Sequence, residues 1–130
     1  MASRFTSGTG LKKVRGLGSA KSGVHHWWLQ RVTAVGNFVL ALWFLVSLLL
    51  LPALDYATVI SWIAQPLVAV PLALLVISVF WHFRLGVQVM IEDYVHDGGL
   101  RTLSLIALTF YTVLTAATAL FAIVKIALGA

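Results

Sequence analysis

The sequence contains no cysteine, and it has only four acidic residues in 130, none of them before Asp55. Without cysteine the chain cannot supply a disulfide, a zinc–thiolate site or the ligands of an iron–sulfur cluster. Charged residues make up 10% of the chain, whereas a soluble domain carries about 25%. The hydrophobic fraction is 61%, and so short a chain cannot bury that much apolar surface in a water-soluble core. Composition therefore predicts a single integral membrane domain.

Three long apolar segments predict an all-α membrane protein with three transmembrane helices. The first has no charged residue from Val32 to Leu51, and a stretch of about twenty residues suffices to cross a hydrocarbon core of about 30 Å. Trp27 and Trp28, just before it, are typical of the membrane–water interface. The predicted spans are about 30–51, 66–90 and 102–128, within a membrane domain of residues 23–130.

Proline and glycine residues predict where the spans begin and end. Pro52 follows the first span and ends it. Pro66 and Pro71 each remove a backbone donor, so we expect a late start or a kink in the second helix. The pair Gly98–Gly99 predicts a turn between the second and third spans.

Residues 1–22 form a basic polar arm, which we expect near anionic lipid headgroups or a partner protein. A mitochondrial transit peptide has a similar composition, but here no apolar helical face opposes the basic residues. Basic residues are concentrated before or at the start of the first span, and the first loop has none. The positive-inside rule then predicts a cytoplasmic N-terminus and, after three crossings, a periplasmic C-terminus. The six basic residues are Arg4, Lys12, Lys13, Arg15, Lys21 and Arg31.

One stretch combines a deep imidazole with polar groups at the end of an apolar run. His82 is the only histidine embedded in such a run, and an ionisable residue inside a membrane segment indicates a functional site. Asp93 lies eleven positions later, about 16 Å further along nearly the same helix face, and Tyr94 follows it. Gly86, one turn after His82, leaves space on that face. The alternatives are an interhelical hydrogen bond for His82 and an ordinary helix end for Asp93 and Tyr94.

Three other charged or ionisable residues lie near these spans. His25 and Arg31 are six positions apart, about 240° around a helix, so they could converge on one anion only where the chain near His25 is not helical. Arg84, two residues after His82, could extend to the membrane boundary or reach a negative group on a partner.

Two motifs of the chain are His82-x-x-x-Gly86-x-x-x-x-x-x-Asp93-Tyr94 on the second span, and Gly23-Val24-His25 followed six residues on by Arg31. Together with the three-span layout they resemble the hydrophobic membrane anchor of succinate dehydrogenase (complex II), the D-type subunit. The resemblance extends from residue 23 to residue 128. In that family two small three-helix anchor subunits hold a flavoprotein and an iron–sulfur protein to the membrane.

The resemblance implies a role for each motif residue. His82 would be an axial ligand of the haem b iron, with a second histidine supplied by the other anchor. Tyr94 would donate to a ubiquinone carbonyl, and Asp93 would support that site or its proton supply. The remaining expected haem contacts are His25 and Arg31 at the propionates and Gly86 as the place where the macrocycle packs.

The expected partners are a second, C-type, cytochrome b-like anchor subunit, the iron–sulfur subunit, the flavoprotein subunit and the lipid bilayer, without nucleic acid. Together with the three helices of the second anchor subunit, the three helices of this chain would form part of a larger helical bundle. FAD and iron–sulfur clusters would belong only to the partner subunits, because this chain has no dinucleotide fingerprint and no nucleophile–base pair. It would therefore be a subunit outside the catalytic core of the complex, which passes electrons from succinate oxidation to the quinone pool. We expect it in the bacterial inner membrane, with the mitochondrial inner membrane as the alternative.

Two other functions fit the same residues. One is the anchor of a different quinone-linked b-type cytochrome complex, such as fumarate reductase. The other is a haem-free three-helix transport or assembly subunit in which His82 and Asp93 form a proton path. The presence of haem and the identity of co-purifying subunits distinguish these functions.

Overall fold

A computed structural model describes residues 21–129 of the chain, and all regular secondary structure in that range is helical. The four helices are α1 (Lys21–Leu49), α2 (Tyr56–Ile63), α3 (Pro66–Tyr94) and α4 (Gly98–Ala127). The expected arm of residues 1–22 lies outside the described residues except for its last two positions, which begin α1.

Three of these helices are long and apolar enough to cross a membrane, as predicted. They contain 29, 29 and 30 residues, which at 1.5 Å per residue gives lengths of about 44 Å. Each therefore exceeds the hydrocarbon core and extends into the interfacial regions. The expected all-α membrane architecture with three spanning helices is confirmed.

Helix starts are fixed by local capping chemistry. Asp55 caps α2 by accepting from the backbone N–H of Thr58 at 2.7 Å, and hydrogen bonds from the Thr58 side chain and backbone hold the pKa of Asp55 below its usual value. Pro66 is the first residue of α3, where its missing donor costs nothing, so the second span starts late as expected. Pro71 lies inside α3.

The connection between α3 and α4 is shorter than the glycine pair predicts. It comprises only residues 95–97, and Asp97 caps α4 by accepting from Leu100 N–H at 2.7 Å. Gly98 and Gly99 therefore form the first turn of α4 and not a separate turn, which corrects the prediction. The Asp97 carboxylate accepts from a backbone N–H that has no partner within the helix, and this stabilises the helix start despite the poor helix propensity of glycine.

Helix α3 lies between the other two spanning helices. It packs against α1 along one side and against α4 along another, while α1 and α4 do not contact each other within residues 21–129. The interior is consequently thin, and many large apolar side chains are exposed to lipid or to other protein chains. The six buried hydrophobic side chains of the described residues are Trp62, Val68, Ala69, Leu85, Leu108 and Ile123.

The short helix α2 is held against the end of α1 by aromatic packing. The Trp62 ring stacks on that of Trp43 with centroids 6.4 Å apart, and the Phe44 ring lies 6.1 Å away. Trp43 is near the last residue of α1, whereas His82 lies twelve residues before the end of α3. Because α1 and α3 are antiparallel neighbours, this cluster closes the membrane end opposite Asp93 and Tyr94.

Candidate functional site

His82 lies at the contact between α3 and α1. Its Nδ1 is 3.0 Å from Oγ1 of Thr33, and the residue is half-buried. It is twelve residues, or about 18 Å, from the end of α3 at Tyr94, which places it deep in the span. Within residues 21–129 the Nε2 atom of His82 has no hydrogen-bond partner. The buried side-chain atoms without a partner do not include it, so Nε2 is not fully buried. The ring is thus held by one nitrogen while the other remains accessible.

The helices approach closely around this contact. Ser78 Oγ donates to the backbone oxygen of Thr33 at 3.2 Å, one turn before His82. A Cβ placed on Gly36 would lie 3.2 Å from that same Ser78 Oγ, so only a residue without a side chain fits there comfortably. Small residues allow membrane helices to pack closely, and the interhelical hydrogen bond fixes the register of α1 against α3.

Gly86 lies on the same side of α3, one turn nearer the polar end. A Cβ at Gly86 would meet Nε2 of Gln30 at 3.8 Å, which is ordinary van der Waals contact. The space that this glycine leaves is therefore bordered by a polar side chain of α1, Gln30. The expected packing of a macrocycle at Gly86 stays a prediction.

Asp93 and Tyr94 are the last two residues of α3, and both are exposed. Since α3 is unbroken from Pro66 to Tyr94, Asp93 lies about 16 Å beyond His82 and within about 20° of the same face. Tyr94 projects about 100° further around the helix and is 78% exposed. The carboxyl and phenol groups therefore border an open surface, with an imidazole deeper on nearly the same face.

His25 and Arg31 both lie within α1 and are exposed. Because the chain is helical at His25, the two side chains diverge, and the condition under which they would converge on one anion is not met in this structure. The Arg31 guanidinium carbon lies 5.4 Å from the centroid of the Trp27 ring, a cation–π arrangement. Arg31 also points about 160° away from Thr33 around α1, so it is not brought together with His82.

Arg84 faces α4. Its Nη2 donates to Oγ1 of Thr109 at 3.3 Å, while the Thr109 hydroxyl donates to the backbone oxygen of Leu105 at 2.9 Å. An apolar groove of about 510 Å³ between α3 and α4 includes Arg84, Phe80 and Ala116 in its lining. The guanidinium is therefore held inside the span by a neighbouring helix.

Sequence reasoning missed three polar residues of α1. Thr33 is the partner of His82, and Asn37 lies one turn further along the helix with its Oδ1 buried and unpaired within the described residues. His26 likewise has a buried Nε2 without a partner there. A signal existed, because Thr33 and Asn37 are polar residues four positions apart within an apolar span and therefore share a face.

No group of three or more histidine, cysteine or acidic side chains converges among residues 21–129 to hold a metal ion. A single imidazole with an accessible nitrogen is instead suited to a metal whose other ligands come from elsewhere, such as a porphyrin and a second protein chain. The residues present thus fit a haem for which His82 would supply one of the protein ligands of the iron.

The model of the succinate dehydrogenase/fumarate reductase transmembrane subunit family matches residues 6–116. The chain belongs to this family. It is 39% identical over 105 residues to a succinate dehydrogenase hydrophobic membrane anchor subunit of Rickettsia bellii (strain RML369-C), covering 81% of this chain and 84% of the relative. A protein of the same name from Paracoccus denitrificans is 33% identical over 122 residues, covering 94% of both chains. No solved structure gives a significant match.

A further relative is the succinate dehydrogenase membrane anchor subunit of Reclinomonas americana, 36% identical over 89 residues, covering 65% of this chain and 73% of the relative. Membership of the succinate dehydrogenase/fumarate reductase transmembrane subunit family agrees with the three apolar helices. It also explains the large exposed apolar surface, because such a surface is stable in contact with lipid. The family match includes α1, α2, α3 and the first part of α4, and so covers all the site residues described above.

Proposed function

We propose that this chain is the hydrophobic membrane anchor subunit of a succinate:quinone oxidoreductase and contributes one axial ligand to a b-type haem. The observation that carries the proposal is the state of the His82 ring: Nδ1 is occupied by Thr33 at 3.0 Å and Nε2 is accessible inside an apolar span. Family membership and the names of the relatives agree with this role.

His82 would hold the iron through Nε2. A bound haem supplies a one-electron carrier within the membrane, and its potential depends on axial ligation, hydrogen bonding and burial. His82 lies about 18 Å from the end of α3, so the imidazole is inside the apolar span and away from the membrane boundary. The second anchor subunit would supply the other axial histidine, because residues 21–129 hold no second candidate at this depth.

Ubiquinone would bind at the Asp93–Tyr94 end of α3. Tyr94 is exposed and its phenol can donate a hydrogen bond to a quinone carbonyl. Quinone reduction consumes two protons, and the exposed Asp93 carboxyl at the membrane boundary can exchange protons with water. Both residues lie at the end where the polar loop meets the membrane, which suits a substrate with a polar head and an apolar tail.

His25 and Arg31 would serve the haem propionates from the same membrane boundary. Arginine pairs well with carboxylates through charge-assisted hydrogen bonds. Since the two side chains diverge on α1, we propose that they approach different propionates or that the first turns of α1 rearrange when the second anchor binds. Gly86, on the His82 side of α3, would give the macrocycle room once the Gln30 side chain turns aside.

The proposed partners follow from the exposed apolar surface. The thin interior leaves α3 with faces that α1 and α4 do not cover, and a second anchor subunit would cover one of them. Iron–sulfur and flavoprotein subunits would bind at the Asp93 end and carry out succinate oxidation. The proposed location is the bacterial inner membrane with the N-terminus cytoplasmic and the C-terminus periplasmic.

Purification of the tagged chain from its native membrane tests the function. We expect covalently or tightly bound flavin, iron–sulfur clusters and a reduced-minus-oxidised b-type spectrum in the same complex, together with succinate-dependent quinone reduction. Fumarate reduction by quinol that far exceeds succinate oxidation would favour the fumarate reductase branch of the family. Purification without haem or flavoprotein would contradict the proposal and favour a transport or assembly subunit.

A further inference from the structure

Thr33 makes two kinds of hydrogen bond through a single hydroxyl group. Its Oγ1 lies 2.7 Å from the backbone oxygen of Leu29 and 3.2 Å from that of Gln30, and it also lies 3.0 Å from Nδ1 of His82. A hydroxyl has one hydrogen and can donate only once, whereas its oxygen can accept. Two oxygen atoms 2.7 Å apart need a hydrogen between them, and the carbonyl oxygen of Leu29 cannot supply it. The proton of Thr33 therefore belongs to the bond with Leu29.

The remaining contact then fixes the histidine tautomer. With its proton directed at Leu29, the Thr33 oxygen can only accept, and Nδ1 of His82 must carry the hydrogen. In a neutral imidazole the other nitrogen, Nε2, then bears the lone pair. This is the accessible nitrogen, so the hydrogen-bond network prepares His82 as a ligand before anything binds.

We infer that Thr33 is the positioning residue that sets the tautomer and orientation of His82 as a haem ligand. The inference rests on the proposed function, since it concerns how the proposed ligand is tuned. A hydrogen bond from Nδ1–H to an acceptor increases the electron donation of the imidazole, and such partners of metal-bound histidine affect metal affinity and potential. The backbone of α1 participates as well, because the Leu29 carbonyl holds the threonine proton and Ser78 anchors Thr33 to α3.

The chain offers a matched control for this hydroxyl. Thr118 makes the same bond to the backbone oxygen four residues earlier, at 2.8 Å to Leu114, but it is exposed and has no hydrogen bond to a histidine among residues 21–129. A change of threonine to valine keeps the side-chain shape and removes the hydroxyl at either position. The two variants therefore share the loss of an intrahelical bond and differ in the contact with His82.

The test compares Thr33→Val, Thr33→Ser and Thr118→Val in the intact membrane complex. We expect Thr33→Val to raise the midpoint potential of the haem, because a less electron-donating imidazole stabilises the oxidised iron less. Haem affinity should fall by about 10- to 100-fold, the usual effect of losing such a partner. Thr33→Ser keeps the hydroxyl and should restore both quantities, and Thr118→Val should match the unmodified complex.

Two outcomes would overturn the inference: a potential and haem affinity in Thr33→Val equal to those of Thr118→Val, or a Thr33→Ser variant that behaves like Thr33→Val. If Thr33→Val lowers the yield of the complex, the same measurements are repeated on Thr33→Ala. A change in haem potential in only one of these two variants would assign the effect to side-chain packing and reject the role of the hydroxyl. His82→Leu separates this inference from the proposed function. A perturbed haem in His82→Leu with a normal haem in Thr33→Val rejects only the role of Thr33, whereas a normal haem in His82→Leu rejects the ligand itself.

Discussion

His82 and Arg84 are two residues apart on α3 and are directed to different helices. His82 contacts Thr33 of α1, and Arg84 donates to Thr109 of α4. Two positions correspond to about 200° of helical rotation, so the central helix separates an imidazole and a guanidinium onto opposite sides. Each is held by a threonine whose own proton is directed to a backbone oxygen four residues earlier. The arrangement keeps the fixed positive charge of Arg84 away from the proposed ligand.

Replacement of His82 by Leu tests the ligand directly. Loss of the imidazole should remove the ligation supplied by this chain and perturb the b-type absorption bands of the purified complex. Succinate oxidation measured with a soluble dye should continue, because the proposed flavoprotein subunit would carry out that reaction. An unchanged low-spin spectrum in His82→Leu would return His82 to an interhelical hydrogen-bonding role with Thr33.

Replacement of Tyr94 by Phe tests the proposed quinone contact. Only the hydroxyl is removed, so a lost hydrogen bond to the quinone carbonyl should lower kcat/KM for quinone by about tenfold, which corresponds to about 1.4 kcal/mol. Dye-linked activity should be unchanged. Tyr56→Phe is the matched control, since Tyr56 is 83% exposed at the start of α2 and at the other end of the bundle. Equal quinone kinetics in both variants would show that Tyr94 is an ordinary interfacial tyrosine.

The topology prediction can be checked with reporters. A reporter fused after Ala130 should be active in the periplasm, and one inserted at Asp97 between α3 and α4 should be active in the cytoplasm. The basic residues before the first span and their absence from the first loop are the physical reason. Detection of both reporters in the same compartment would be incompatible with a third crossing by α4.

The close approach of α1 and α3 predicts sensitivity at Gly36. Gly36→Ala places a Cβ 3.2 Å from Ser78 Oγ, which must then move away from the Thr33 backbone oxygen. The lost interhelical bond should cost about 0.6 kcal/mol, measured as lower thermal stability of the solubilised complex. Gly23→Ala is the control, because no atom in the described part of the chain would lie within 4 Å of a Cβ at that position.

A double variant distinguishes crowding from other causes at Gly36. Ser78→Ala removes the atom that the new Cβ would meet, so Gly36→Ala combined with Ser78→Ala should cost less than the sum of the two single changes. Additive losses would mean that Gly36→Ala acts elsewhere than at this contact.

Arg84 should oppose insertion of α3 into the membrane. Arginine near the centre of a span is disfavoured by about 2.5–3.5 kcal/mol on the insertion scale, whereas leucine is favourable. Arg84→Leu should therefore make insertion of an isolated α3 segment more favourable by up to about 3 kcal/mol in a translocon assay. In an isolated α4 segment, Arg101→Leu should change insertion much less, because Arg101 lies in the first turns of that helix and is exposed. Equal effects of the two changes would mean that Arg84 reaches the boundary when α4 is absent.

Part of the helix pattern could be read from the chain, and part could not. The late start of α3 followed from Pro66, because proline is favoured at the first position of a helix, where its missing N–H costs nothing. The short helix α2 was not predicted, because it is held by the stacking of Trp62 on Trp43, a residue nineteen positions earlier in the chain. The glycine pair misled the prediction of the α4 start, since the Asp97 cap outweighs the weak helix propensity of Gly98 and Gly99.

The sequence by itself determined that three helices cross the membrane and that the second of them ends in polar residues. It also determined that His82 and Asp93 share nearly one face of that helix. Helix periodicity and the thickness of the bilayer suffice for these conclusions. Only the tertiary structure decided that His82 meets Thr33, that Arg84 meets Thr109, and that α1 and α4 remain apart. The physical reason is that these helices are apolar on nearly every face. In lipid no hydrophobic driving force selects the side by which such a helix packs, so close approach at small residues and a few interhelical hydrogen bonds set its rotation.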